Sequence, residues 1–194
     1  MIRAFALRSR NQRGATLIEV LVSLVILMIG LLGLIGVMIQ SQRAQQEAYQ
    51  RTQALLLVQD MVARISGNRD AADCYVQGAA LGTGSGPGAP ALGACTYGMA
   101  TAQGARAVQD LSDWSNEILG SAETAGGSNV GTVLRGRGCI VKDATTGVFQ
   151  ITVAWQGTQD SGPPPAAVTC GQGQYGNESL RRAVSVTLVP PNAS

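Results

Sequence analysis

Arg13-Gly14-Ala15-Thr16-Leu17-Ile18-Glu19-Val20 is the stretch on which the reading of this chain turns. Residues 1–13 carry Arg3, Arg8, Arg10 and Arg13 and no acid. From Ala15 to Ile39 the chain is apolar except for Thr16, Glu19 and Ser23. As a helix that run is about 37 Å long, enough to cross a hydrocarbon core of about 30 Å. Arginines on its N-terminal side predict that end in the cytoplasm and the C-terminal side outside.

A secretory signal peptide starts in a similar way. The apolar run here exceeds the usual core of about 7–15 residues. Val37-Met38-Ile39-Gln40 is a poor small-x-small cleavage site, and an acid stands near the start of the run. A plain signal anchor, with Glu19 snorkelling to the interface, agrees with the hydropathy as well. The string itself separates the two. Gly14-Ala15-Thr16-Leu17-Ile18-Glu19-Val20 resembles the class III signal of type IV prepilins and pseudopilins. In that family a prepilin peptidase cuts after the glycine, on the cytoplasmic side, and methylates the new amino terminus. The resemblance implies cleavage between Gly14 and Ala15, N-methylation of Ala15, and Glu19 as the fifth mature residue. The family usually has Phe where this chain has Ala15.

The chemistry of that implication is coherent. A carboxylate in hydrocarbon is costly unless neutralised. Cleavage creates a cationic amine at Ala15, one helical turn from Glu19. By resemblance, Glu19 attracts the amino terminus of a neighbouring subunit during assembly; the amine of its own chain is the alternative.

Residues 40–66 contain no Pro and no Gly and are rich in helix formers. Ala44, Ala48, Leu55, Val58, Val62 and Ile65 predict one apolar stripe, with Gly67-Asn68 as the stop. A helix from Ala15 to Gly67 is about 80 Å long. Gly30, Gly33 and Gly36 read as sites of close helix packing, or as a point where the helix can stretch. The predicted organisation is a leader at 1–14, a membrane-spanning half at 15–39, an amphipathic half at 40–67 and a periplasmic head at 68–194.

The head is rich in small and polar residues, so its core is modest and benefits from covalent support. Cys74, Cys95, Cys139 and Cys170 lie beyond the span, in an oxidising compartment if the topology holds. Of the three pairings, Cys74 with Cys95 and Cys139 with Cys170 are favoured, the first closing a Gly-rich loop over 78–90. A zinc site lacks any C-x-x-C spacing. Gly84, Gly86 and Ala89 loosely offer G-x-G-x-x-A, read as a loop that follows no strand. Ala107, Leu111, Trp114 and Ile118 predict a short helix over 106–119 with its Trp inward.

Phe149, Ile151, Val153 and Trp155 alternate with Gln150, Thr152, Ala154 and Gln156, which predicts a half-buried strand. Val184, Val186 and Leu188 mark a second; Val130–Leu134 and Cys139–Lys142 are weaker. Gly162-Pro163-Pro164-Pro165 is a loop. The order implies an α+β fold, a long N-terminal helix packed on a small antiparallel sheet, and the pilin resemblance implies the same. Within the family, the leader, Asp110-Leu111-Ser112-Asp113-Trp114, the Ile151–Gly157 strand and the end at Pro190-Pro191 look like the PilV-type minor pilins.

There is no histidine, which excludes Ser-His-Asp and Cys-His catalysis and His metal sites. Asp143 and Asp160 have no catalytic frame, so neither an enzyme nor a cofactor is expected. Without residues 1–14 the chain holds 10 basic and 12 acidic side chains, which gives no charge-based case for nucleic acid. Arg135, Arg137, Lys142, Arg181 and Arg182 read as scattered surface charges rather than one patch. The resemblance implies a minor pilin of a type IV pilus, anchored in the inner membrane before entering the filament and helping to initiate assembly and display tip components. Its implied partners are prepilin peptidase, major and minor pilins through the N-terminal helix, and the inner-membrane assembly platform. The alternatives are a minor pseudopilin of type II secretion, or a subunit for surface adhesion or DNA uptake.

Overall fold

A computed structural model of the chain describes Gly14 and residues 16–84, 101–120, 124–125, 128–129 and 133–189. The chain divides into two compact units, Met1–Ala44 and Gln45–Ser194. Helix α1, Leu17–Gly67, begins in the first and ends in the second. Its N-terminal stretch is apolar all round, and none of its most apolar 18-residue window is buried. Gly30, Gly33 and Gly36 do not interrupt the helix, and a Cβ at any of them would meet nothing within 4 Å.

In the second unit α1 becomes amphipathic. Ala54, Leu57, Val58, Met61 and Ile65 are buried. This corrects the expected stripe: Ala44, Ala48 and Leu55 are exposed. Its C-terminal part is as expected, with Val58 and Ile65 buried and Val62 packed against the core; Leu55 lies one residue, or about 100°, from the buried Ala54. The helix stops where expected. The Asn68 amide donates to Arg64 O and Ile65 O, and its side-chain Nδ2 donates to Gln103 O at 2.9 Å.

A short 3₁₀ helix, Arg69–Tyr75, leads to strand β1, Leu81–Gly82. Helix α2 follows, Ala102–Leu119, then β2, Thr124–Ala125, and β3, Ser128–Asn129. The remaining strands are β4, Arg137–Lys142, β5, Phe149–Gln156, and β6, Arg181–Leu188. One antiparallel sheet has the order β1-β4-β5-β6; β2 and β3 form a separate two-stranded ribbon. The fold is α+β, a long N-terminal apolar helix and a small antiparallel sheet.

Helix α2 starts four residues before the sequence reading, at Ala102 rather than 106. Thr101 caps it, its hydroxyl accepting from the Gly104 amide at 3.1 Å. The inward face is as expected: Ala107, Leu111, Trp114 and Ile118 are buried. Trp114 Nε1 donates to Leu57 O at 2.8 Å, which ties α2 to α1. A Cβ at Gly138 would come within 3.0 Å of the Trp114 ring, so glycine lets β4 lie flat against it.

Three strand readings change. Val133 and Leu134 form a bend and turn, and 130–132 lie outside the described residues. Cys139–Lys142, read as weak, belongs to β4, an inner strand paired along its length with β5. Strand β1 falls inside the stretch read as loop and precedes Gly84, while Gly86 and Ala89 lie outside the described residues. A two-residue strand leaves no periodicity to read.

Strand β5 is buried on both faces rather than one. Phe149, Ile151, Val153 and Trp155 join the main core with α1 and α2. Ala154 faces a second cluster with Cys170 and Tyr175, flanked by Cys139 and Ala183. The Cys139–Cys170 disulfide, with Cα atoms 5.8 Å apart, holds that cover in place. Burial of the Tyr175 phenol pushes its pKa up to about 12. The folded state therefore keeps a proton that the unfolded chain releases near pH 10. Its stabilisation is present below pH 10 and is lost, up to about 2–3 kcal/mol, as pH rises to 12. The expected result is a fall in urea midpoint between pH 10 and 12 that Tyr175→Phe makes shallower; equal slopes in the two proteins would overturn it.

Candidate functional site

The first turn of α1 is built by Thr16. Its carbonyl accepts from the Glu19 amide at 3.0 Å and from the Val20 amide at 3.3 Å. Its hydroxyl also accepts from Glu19 N at 3.4 Å, in the manner of an N-cap. Gly14 precedes the helix and is exposed. The scissile bond expected between Gly14 and Ala15 thus adjoins the helix start, although Ala15 lies outside the described residues.

Glu19 is the acid of the first turn, where the helix dipole favours negative charge. Its side chain is exposed, and among the described residues no hydrogen bond or ion pair engages its carboxylate. Ser23 donates its hydroxyl to Glu19 O at 2.7 Å, so that polar group is satisfied within the helix. Glu19, Ser23 and Leu27 lie on one face at steps of four. The arrangement presents one carboxylate in the first turn of a helix whose N-terminal stretch is largely apolar. A lone exposed carboxylate of this kind suits charge pairing.

The other candidate residues are dispersed through the head. Cys139 and Cys170 are paired with each other and so are not thiolate ligands. Cys74 is disulfide-bonded, and Cys95 lies outside the described residues. Among the described residues no group of acids or cysteines is arranged to hold a metal. Asp143 caps a turn, with backbone hydrogen bonds from Thr146 and Thr145 holding its carboxyl below the usual range. Asp160 accepts from the Ser179 hydroxyl.

Four of the five basic residues have partners of their own. Arg135 reaches Gln156 and Gln174 O, and Lys142 pairs with Asp73. Arg181 is almost fully buried, bonding Glu178 and the carbonyls of Val168 and Cys170. Arg182 pairs with Glu47 at 3.4 Å and donates to Gln159 O. The fifth, Arg137, acts with Arg135 and Arg181 on the Tyr175 phenol, and its Nε is buried without a hydrogen-bond partner among the described residues.

Sequence reasoning missed a polar network behind α2. Arg64 bonds Asp60 at 2.6 Å and Glu117 at 2.7 Å, and lies 3.5 Å from buried Asp110. Tyr75 donates to Asp110, and its phenol is pushed above its ordinary value by burial and by that bond. The i,i+4 spacing of Asp60 and Arg64 was the one legible signal; the other partners meet only in the folded head.

Residues 9–35 match a family model described as the prokaryotic N-terminal methylation motif. No curated protein and no solved structure matched the chain. The motif implies processing by prepilin peptidase and pilus-type assembly, and it fits a membrane-anchored protein together with the one helix among the described residues that is long and apolar enough to cross a membrane. Pilin-like proteins are structural rather than enzymatic. The motif at 9–35, leading into an exposed apolar helix with Glu19 in its first turn, supports a type IV pilin-like protein.

Proposed function

We propose that this chain is a minor pilin of a type IV pilus, of the PilV type, that helps to initiate assembly and display components at the tip. The methylation motif running into an unburied apolar helix with one acid in its first turn carries the reading. In it, prepilin peptidase cuts between Gly14 and Ala15 and methylates Ala15. The helix holds the subunit in the inner membrane with the head in the periplasm until it enters the filament. Glu19 then draws the amino terminus of a neighbouring pilin, because an unpaired carboxylate in an apolar helix bundle is costly. Disulfides Cys74–Cys95 and Cys139–Cys170 brace the head. The reading requires neither cofactor nor nucleic acid.

Intact mass and N-terminal analysis of the protein from membranes, with and without prepilin peptidase, tests this. The expected product is a chain starting at methylated Ala15, made only with the peptidase. An unprocessed terminus in both strains, or cleavage beyond Ile39, would falsify the pilin reading. Incorporation into sheared pili then separates a pilus subunit from a secretion pseudopilin.

A further inference from the structure

Strand β6 is an edge of the four-stranded sheet. Gly157 N donates to Leu180 O at 2.7 Å, in the antiparallel register that continues through Gln156 and Arg181. Antiparallel ladders alternate between bonded and non-bonded pairs. Arg182, Val184, Val186 and Leu188 therefore turn their backbone groups to β5. Ala183, Ser185 and Thr187 turn theirs outward, and among the described residues none of those N–H or C=O groups has a hydrogen-bond partner.

Exposed edges are ordinarily protected by charge, proline or a bulge. Ala183-Val184-Ser185-Val186-Thr187-Leu188-Val189 has none of these. Arg182, at one end, is occupied by Glu47 and by the carbonyls of Gln159 and Ser179. Val184, Val186 and Leu188 pack on the core but stay only half-buried, because the sheet ends beside them. Ser185 and Thr187 are exposed on the opposite face.

We infer that the β6 edge accepts an added strand from a different protein: an extended segment, uncharged over about six residues and apolar at alternate positions. Its backbone satisfies the outward groups of Ala183, Ser185 and Thr187. Its apolar side chains extend the Val184–Val186–Leu188 row, and small polar ones continue the Ser185–Thr187 row. A charged guest is disfavoured, since the edge offers no counter-charge. A second copy of this chain fits less well. Antiparallel pairing of two β6 strands relates the heads by a two-fold axis normal to the sheet, which reverses the Gln45–Gly67 helix packed on it. Copies inserted in one membrane with the same polarity do not meet that way. This last step rests on the pilin reading proposed above.

The test uses full-length protein in detergent micelles and an acetylated, amidated peptide with the sequence of residues 183–189. That peptide has the required alternation and carries no helix to impose a two-fold constraint. Backbone hydrogen exchange is read residue by residue. Ala183, Ser185 and Thr187 amides should exchange freely in the protein alone and slow at least about tenfold with peptide. The peptide methylated on every backbone nitrogen should have no effect. Ser185→Pro, which removes an outward amide and no ladder bond, and Thr187→Lys should both abolish the slowing while near-ultraviolet circular dichroism stays native. No slowing, slowing away from β6, or an equal effect of the methylated peptide overturns the inference. So does protection of these amides in the protein alone through self-association. N-terminal analysis reads the pilin assignment separately, so either can fail alone.

Discussion

Trp114→Ala is expected to lower the unfolding free energy by about 3–5 kcal/mol, the range for emptying a fully buried aromatic site. The ring is wholly buried between α1, α2 and β4. Gly138 leaves space for it and nothing else, so its removal opens a cavity where three elements meet. The indole N–H bond to Leu57 O is lost as well. Trp114→Phe should cost less, because most of the apolar area stays and only the polar tie and part of the volume go. Urea unfolding followed by far-ultraviolet circular dichroism separates the two variants. An unchanged midpoint for Trp114→Ala would show that the ring is not the keystone of the head.

The double variant Cys139→Ser, Cys170→Ser is expected to cost about 3–4 kcal/mol, from the chain entropy returned to the unfolded state by a loop of this size. The two residues are 31 apart, and their bridge covers the face of β5 opposite the main core. The double substitution avoids leaving a lone reactive thiol. Urea unfolding without reductant should place its midpoint clearly below wild type. Reduction of the wild-type protein should bring the two together to the extent that this bridge dominates. A variant as stable as wild type would mean that Tyr175 and Arg181 hold the cover unaided.

The long helix and β5 were legible because each has a repeating chemical pattern, apolar over many turns in one and alternating in the other. The stop at Gly67 and the inward Trp114 were legible from local residue types. The phase of the amphipathic stripe was not, because Leu55, Leu56 and Leu57 are chemically alike and only packing selects Leu57. β1 was hidden because its pairing with Gly138 and Arg137 is set by distant residues. The second face of β5 was hidden because its cover arrives from the loop around Cys170 and Tyr175. The candidate site was legible as a local string; beyond the local Asp60–Arg64 step, the Arg64 network with Asp110 and Glu117 depends on a chain reversal that no window contains.

The Cys139–Cys170 bridge also has a mechanical meaning. A pull applied between α1 and the end of β6 passes through the chain in series until it reaches this bond, which then carries the load past residues 140–169. Those residues would otherwise add roughly 100 Å of extended chain. With the bond closed they stay slack, and β5 lies inside the shielded loop. A molecule stretched by its ends would therefore lengthen in a short step, and reduction would restore the missing extension.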